Sequence, residues 1–188
     1  MCLSWVHSLN RLVLLYLFSA LNKVVGYWIS KLSLERHPEG GYFVETYRSD
    51  TILNLPEYDG PRNVCTAIYY LLVGEQFSSF HEMKSDEIWH FYTGSSLKLH
   101  IIEAEGTLKE VTLGTNIENG ETFQAIVKSG SWFAASVKDP DSYALVGCTV
   151  SPGFNCHDWK LGDREILAKM YPQHKRIIEK FTRPLPPL

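Results

Sequence analysis

The 188-residue chain has few of the features that mark several large classes of protein. Its four cysteines (Cys2, Cys65, Cys148, Cys156) form neither a CxxC pair nor a zinc-ligand spacing, so no zinc finger or dithiol redox motif is encoded. Cys65 and Cys148 lie in apolar runs and read as small buried hydrophobes, which leaves the redox compartment open. The 18 basic residues are scattered and the net charge is −3. With no basic cluster, nucleic acid is set aside as a partner. No internal repeat is present, and the only low-complexity stretch is the terminal Pro184-Leu185-Pro186-Pro187-Leu188. Helix signals nearly vanish between the N-terminal segment and the last stretch of the chain.

What is present is apolar and aromatic: 45% hydrophobic and 13% aromatic residues, enough for one domain with a sizeable core. Residues 1–26 form a hydrophobic segment. Arg11 precedes the apolar run Leu12–Leu21, and Val24-Val25-Gly26 supplies small residues after it. That order resembles a secretory signal; the alternative is an amphipathic helix capping the domain. The run is short for a bilayer, so any membrane contact would come through residues 1–26, if they are retained. The secretory pathway and the cytoplasm both stay open.

Short β-branched and aromatic runs follow. The pattern predicts strands near Tyr42–Arg48, Val64–Leu72, Ser78–Glu82, Glu87–Tyr92, Leu97–Ile102, Leu108–Leu113, Thr122–Val127, Trp132–Ser136 and Tyr143–Val150. Turn signals such as Val73-Gly74, Thr93-Gly94 and Asn119-Gly120 separate them. Many short strands at such spacing indicate an all-β sandwich or barrel. Leu97, Leu99 and Ile101 alternate with Lys98 and His100, which buries one face of that strand. Asp163 is placed to cap a helix through Met170, and Pro172 opens a second helix ending before Pro184. Both should pack on the outside of the barrel, so the domain is drawn over residues 27–183, with 184–188 as a tail.

The densest polar chemistry lies between Phe80 and Gly94. On an extended strand Glu87, Trp89 and Phe91 share one face, and Ile88, His90 and Tyr92 the other. A carboxylate between inward aromatics needs a partner, and His81 is the nearest in sequence. Such a pair can bind a metal, move a proton or simply satisfy itself. Phe43, Glu45 and Tyr47 share one face of their strand, with Arg48 opposite, so Glu45 and Tyr47 are candidate ligand contacts. His37-Pro38-Glu39-Gly40-Gly41 reads as a tight turn. Trp132 is a pocket wall or core packing; Gln124 is an exposed amide or a donor to a sugar hydroxyl.

These residues resemble the first motif of the cupin superfamily: Gly74, His81, Glu87 and Gly94 fall in its pattern, with one extra residue after Gly74. Met83 stands where the motif has a second His, and Phe133 where the second motif has its His. A closer similarity is to the DUF985 (cupin type 5) subfamily. It is carried by Tyr27–Leu32, His37–Phe43, Glu45–Arg48, Thr66–Leu72, Ser85–Tyr92, Gly130–Trp132 and Val146–Phe154. The resemblance implies an all-β double-stranded β-helix, the cupin jelly-roll barrel, with an N-terminal helix and two short C-terminal helices, and a homodimer. It implies much less about the reaction, because the fold hosts many chemistries; the expected partner is a small, carbohydrate-like ligand.

Within that frame His81 and Glu87 are the candidate catalytic residues, His81 as general base at a partly solvated pocket mouth and Glu87 orienting it. Glu45, Tyr47, Ser85, Trp89, Phe91, Gln124 and Trp132 are the candidate ligand contacts. The expected activity is metal-independent isomerisation or epimerisation of a sugar, sugar phosphate or nucleotide sugar. The alternatives are a non-catalytic binding or sensing module and a metal-dependent cupin enzyme. Only two of the four metal ligands of a complete cupin site are present, so no cofactor is required and any divalent metal is expected to bind weakly. His90 and His100 are the substitutes to consider, but strand alternation points them away from Glu87.

Overall fold

The computed structural model describes residues 19–183. A helix, α1 (residues 19–32), leads into β1 (Glu35–Arg36) and β2 (Tyr42–Arg48). A small hairpin comes next, β3 (Ile52–Leu53) and β4 (Arg62–Asn63). The body of the fold is β5 (Thr66–Val73), β6 (Phe77–Met83), β7 (Asp86–Gly94), β8 (Leu97–Ile102) and β9 (Leu108–Leu113). It continues through β10 (Gln124–Val127), β11 (Trp132–Val137), β12 (Tyr143–Ser151) and β13 (Trp159–Leu161). All nine strands expected from the sequence are present. The chain closes with α2 (Arg164–Met170), a 3-10 turn at Pro172–His174, and α3 (Lys175–Lys180). Asp163 caps α2 as expected, its carboxylate accepting from Ile166 N at 2.9 Å.

Two antiparallel sheets face each other, in the orders β1-β2-β5-β12-β7-β10 and β13-β6-β11-β8-β9. From β5 to β8, and again from β9 to β13, successive strands alternate between the sheets, which is the jelly-roll arrangement. Alternation along each strand then assigns side chains to layers. In β5, Tyr70 and Leu72 point into the barrel, while Leu71 lies outside under α1. In β12, Val146, Cys148 and Val150 point inward and Leu145 meets α1. In β11, Phe133 and Ala135 face the interior, whereas Trp132 and Ala134 lie under the C-terminal helices with Leu167, Ile178 and Phe181. Helices cover parts of both outer faces, so several strands carry continuous apolar runs rather than strict alternation. This corrects the one-sided reading of β8. Leu97, Leu99 and Ile101 do line the core, but His100 and Ile102 are also buried.

α1 packs Leu21, Val25, Trp28, Ile29 and Leu32 against the outer face of the first sheet. The small-residue exit Val24-Val25-Gly26 and the boundary drawn at residue 26 therefore fall in mid-helix. The run Leu12–Leu21 and the Pro-rich tail lie almost wholly outside the described residues. No described helix is long and apolar enough to cross a membrane.

Three β-bulges interrupt the regular pairing. One lies near the end of β7, where Leu145 pairs with Thr93 and Val146 with Phe91, leaving Tyr92 as an extra residue. The other two shape the site. In β2, Glu45 pairs with Ile68 and Tyr47 with Ala67, leaving Thr46 as an extra residue. In β6, His81 pairs with Phe133 and Ser78 with Ala135, so Ser79 and Phe80 together oppose Ala134. A bulge re-aims the side chains beyond it.

Candidate functional site

The turn 37–41 places the first side chain of the site. Gly40 and Gly41 both have positive φ, and a Cβ on Gly41 would lie 2.5 Å from Leu71 O, so this tight approach requires glycine. The turn carries Glu39 into the barrel, where it is buried. Its carboxylate accepts from Ser78 Oγ at 2.7 Å and Trp159 Nε1 at 2.6 Å. Thus Glu39 is more than a turn residue, contrary to the backbone reading of this segment.

The bulge in β6 sets His81. Its Nδ1 lies 2.8 Å from Ser79 O and 3.3 Å from a Glu39 carboxylate oxygen. A carbonyl only accepts, so in the neutral ring Nδ1 carries the proton and Nε2 holds the lone pair. Nε2 makes no hydrogen bond among the described residues, and His81 lines an interior cavity. Its ring packs against Phe133 at a tilt of 57°, centroids 3.9 Å apart. At 3% exposure His81 is buried, not partly solvated as expected.

Glu87 lies on β7 with Trp89 and Phe91 on the inward face, as the alternation requires. It is buried and lines the same cavity. Burial, and then the Glu39 charge, push its carboxyl up to about 8, against smaller opposing effects from Cys148 and Trp89. It is therefore protonated at neutral pH and can donate. No ion pair joins Glu87 to His81; Glu39 occupies the position on Nδ1 that the sequence reading gave to Glu87.

The cavity has a volume of about 160 Å³ and is lined from β2, β5, β6, β7 and β12. Phe43, Ile68, Tyr70, Met83, Trp89 and Phe154 form its apolar walls. Trp89 Nε1 is buried without a hydrogen-bond partner. Tyr70 Oη donates to Gly40 O at 2.6 Å, and burial followed by the Glu39 charge raises its phenol well above the ordinary range. Burial lowers the His37 imidazole against the opposing pull of Glu39. The Cys148 thiol is likewise raised well above normal by burial and then by Glu87, which leaves it protonated and unreactive.

The structure brings His81, Glu87, Glu45 and Trp89 of the candidate set to this cavity. Phe91 is in the core below it. Four others lie elsewhere. The β2 bulge keeps Glu45 inward but turns Tyr47 out, leaving it exposed and aiming Arg48 at the cavity in its place. Ser85 is buried in the β6–β7 turn beside Tyr58 Oη at 3.0 Å. Gln124 is on the outer face of β10, 3.0 Å from His90 Nδ1. Trp132 packs outside β11, with Lys160 over its ring. The sequence reading missed Glu39, His37 and Arg48. Their approach depends on a turn and a bulge that periodicity does not mark.

A metal of the kind held by complete cupin sites does not fit these residues. Met83 and Phe133 replace two imidazoles, and Phe133 is packed on His81. His90 and His100 point away, the first to Thr149 and Gln124, the second to Glu110 and Ser136. Among the described residues no three His, Cys, Asp or Glu are placed to hold a metal ion.

Two facing antiparallel sheets enclosing one interior cavity define a barrel of the cupin class. Comparison with known proteins makes the assignment specific. The chain belongs to the cupin superfamily family DUF985 (Cupin_5), whose profile matches residues 26–162. It is 29% identical over 153 residues to the yeast (Saccharomyces cerevisiae) protein YML079W, covering 74% of each chain. Among solved structures it is similar to protein SO0799 of Shewanella oneidensis, with 40% identity and a TM-score of 0.77, covering 84% of this chain and 96% of that one. A hypothetical protein from Leishmania major shows 33% identity and a TM-score of 0.80, covering 85% and 98%.

Proposed function

We propose that the cavity catalyses proton transfer at a carbon next to a carbonyl, as an isomerase or epimerase acting on a small sugar-like substrate. One observation carries this reading. The interior presents an acceptor and a donor: His81 with its lone pair on Nε2, and Glu87, whose carboxyl is raised to about 8 by burial and then by the Glu39 charge. A base and a protonated acid lining one cavity are what proton transfer at neutral pH requires. His81 Nε2 takes the proton from carbon as Glu87 gives its own to the carbonyl oxygen, forming an enediol. Isomerisation completes when the His81 imidazolium gives its proton to the former carbonyl carbon and the Glu87 carboxylate takes the proton from the hydroxyl of the carbon first deprotonated. Epimerisation instead requires the enediol to turn over, so that His81 returns the proton to the opposite face of the same carbon while Glu87 recovers its own from the oxygen. Glu39 steadies the imidazolium formed midway, and the step needs no metal.

Solvent exchange tests this. The protein is incubated in D₂O with aldoses, ketoses, their phosphates and nucleotide sugars, and NMR follows deuterium entering beside the carbonyl. Exchange with at least one compound, lost in His81→Gln, is the expected result. Binding without exchange across the panel would sink catalysis. The second reading, a binding or sensing module, would then take its place. It is favoured by the aromatic walls and the unpartnered Trp89 Nε1, which suit a sugar ring with or without chemistry.

A further inference from the structure

We infer that the ligand of this cavity is an uncharged polyhydroxylated molecule the size of a single sugar ring, and that phosphorylated and nucleotide-linked sugars are excluded. This ligand class deepens the proton-transfer reading and rests on it for the identity of the site.

Charge favours a neutral guest. Arg48 is the cation that lines the cavity, and four of its five N–H donors are engaged. Nε and Nη2 donate to the two Glu45 carboxylate oxygens at 2.9 and 2.6 Å. Nη1 donates to Asn63 Oδ1 at 2.9 Å and Phe154 O at 3.1 Å. A phosphate binds arginine through such a free fork, and here a carboxylate already occupies it. Arg48 and Glu45 cancel. That leaves Glu39 as a cavity-lining carboxylate with no Lys or Arg side chain, among the described residues, paired to its carboxylate oxygens. An entering anion would meet a like charge in a poorly solvated space and would have to give up its water without a cation in return.

Size sets the second limit. A single water needs roughly 10–15 Å³ of such space, so 160 Å³ holds on the order of ten heavy atoms. That matches one pyranose or open-chain hexose and leaves no interior room for a nucleotide.

The groups still seeking partners set the third. Trp89 Nε1 and the Glu87 hydroxyl offer donors and His81 Nε2 an acceptor. Phe43, Tyr70, Trp89 and Phe154 supply apolar faces. Hydroxyls beside C–H faces are the chemistry that satisfies both.

The test measures binding by calorimetry for free aldohexoses and ketohexoses, their 6-phosphates and the matching nucleoside-diphosphate sugars. At least one free hexose should bind at least about tenfold tighter than its phosphate. Glu45→Gln, which releases the Arg48 fork, should narrow that ratio by strengthening phosphate binding. A 6-phosphate or nucleotide sugar binding as well as the free sugar would overturn the inference, and so would no binding by any free hexose. The two readings fail separately. Deuterium exchange on a phosphorylated sugar would defeat the substrate class and keep proton transfer. Selective binding of free hexose without exchange would do the reverse.

Discussion

Two buried histidines of this barrel are held by similar local partners and differ in what they leave free. Inside the barrel, His81 sets Nδ1 against Ser79 O and Glu39 and turns Nε2 to a cavity. Outside, under the C-terminal helices, His100 sets Nδ1 against Glu110 at 2.8 Å, spends Nε2 on Ser136 Oγ at 3.2 Å and stacks on Phe181. Both imidazoles are nearly inaccessible, so burial does not separate them. What separates them is an unspent nitrogen facing open volume. A histidine with both nitrogens satisfied secures a fold; one with a lone pair turned to a cavity is available for chemistry.

The largest effect should come from exchanging these two side chains for the same amide. His81→Gln should lower exchange by at least about 100-fold, the usual worth of a general base. His100→Gln should leave exchange within about twofold of wild type. Each should cost a comparable stability, about 1–2 kcal/mol for a disturbed buried hydrogen bond, measured by urea unfolding. Equal kinetic losses in the two variants would dissolve the distinction.

The acidic partners sharpen it. Glu39→Gln should slow exchange by about 10-fold and move the basic limb of the pH profile to lower pH. The Glu39 charge raises the Glu87 carboxyl, so its removal lets that carboxyl ionise earlier. Glu110→Gln should leave rate and profile unchanged. A Glu39 variant that is slower but keeps the wild-type profile would mean that the carboxylate only props up the turn.

Much of this contrast was legible in the sequence, and the missing part has a definable cause. Period-two alternation placed Glu87, Trp89 and Phe91 inward and His90 outward, because β7 is regular where it matters. Turn glycines at 74, 94, 106, 120 and 130 do adopt positive φ. Alternation fails where the backbone leaves that period. Extrapolating it through Thr46 sends Tyr47 inward and Arg48 outward, and one extra residue reverses both. Glu39 is hidden differently. Pro38 and Gly40-Gly41 account for a turn so fully that the carboxylate between them carries no signal of its own. Its partners Ser78 and Trp159 are 39 and 120 residues away. For Gln124 and Trp132 the strands were right, but which face meets the cavity depends on sheet packing.

A smaller effect concerns stability and isolates Glu87. Its folded-state value is raised to about 8 from an ordinary 4.5. Between these values the unfolded chain has lost this proton while the folded one keeps it, so unfolding releases a proton. Stability from this group is therefore complete below about pH 4.5 and declines as pH rises toward 8. The decline should amount to on the order of a few kcal/mol across that window. Glu87→Gln, which cannot ionise, should lack this component, so its advantage over wild type should grow from pH 5 to pH 8. Parallel pH–stability curves for the two proteins would show that Glu87 is not held protonated.

The smallest expected effect is that of removing metal. Chelation followed by dialysis should leave Tm and exchange rate unchanged, and the purified protein should carry well below one equivalent of transition metal. The reason is the donor set. His81 and Glu87 are in register with cupin ligands, but Met83 and Phe133 stand where two further imidazoles would be. The Phe133 ring lies against His81 at 3.9 Å, filling the space a ligand would need. Two protein donors leave most coordination positions to water, so a bound ion would exchange readily. A resident metal would also draw Glu87 toward its ionised form, abolishing the acid on which the proton-transfer reading depends. The measurement therefore bears on the mechanism as well as on composition. Near-stoichiometric zinc, nickel, iron or manganese surviving dialysis, with a Tm that falls on chelation, would reverse the roles of the two groups. His81 and Glu87 would then be ligands rather than base and acid, and the contrast with His100 would become one of coordination rather than proton transfer.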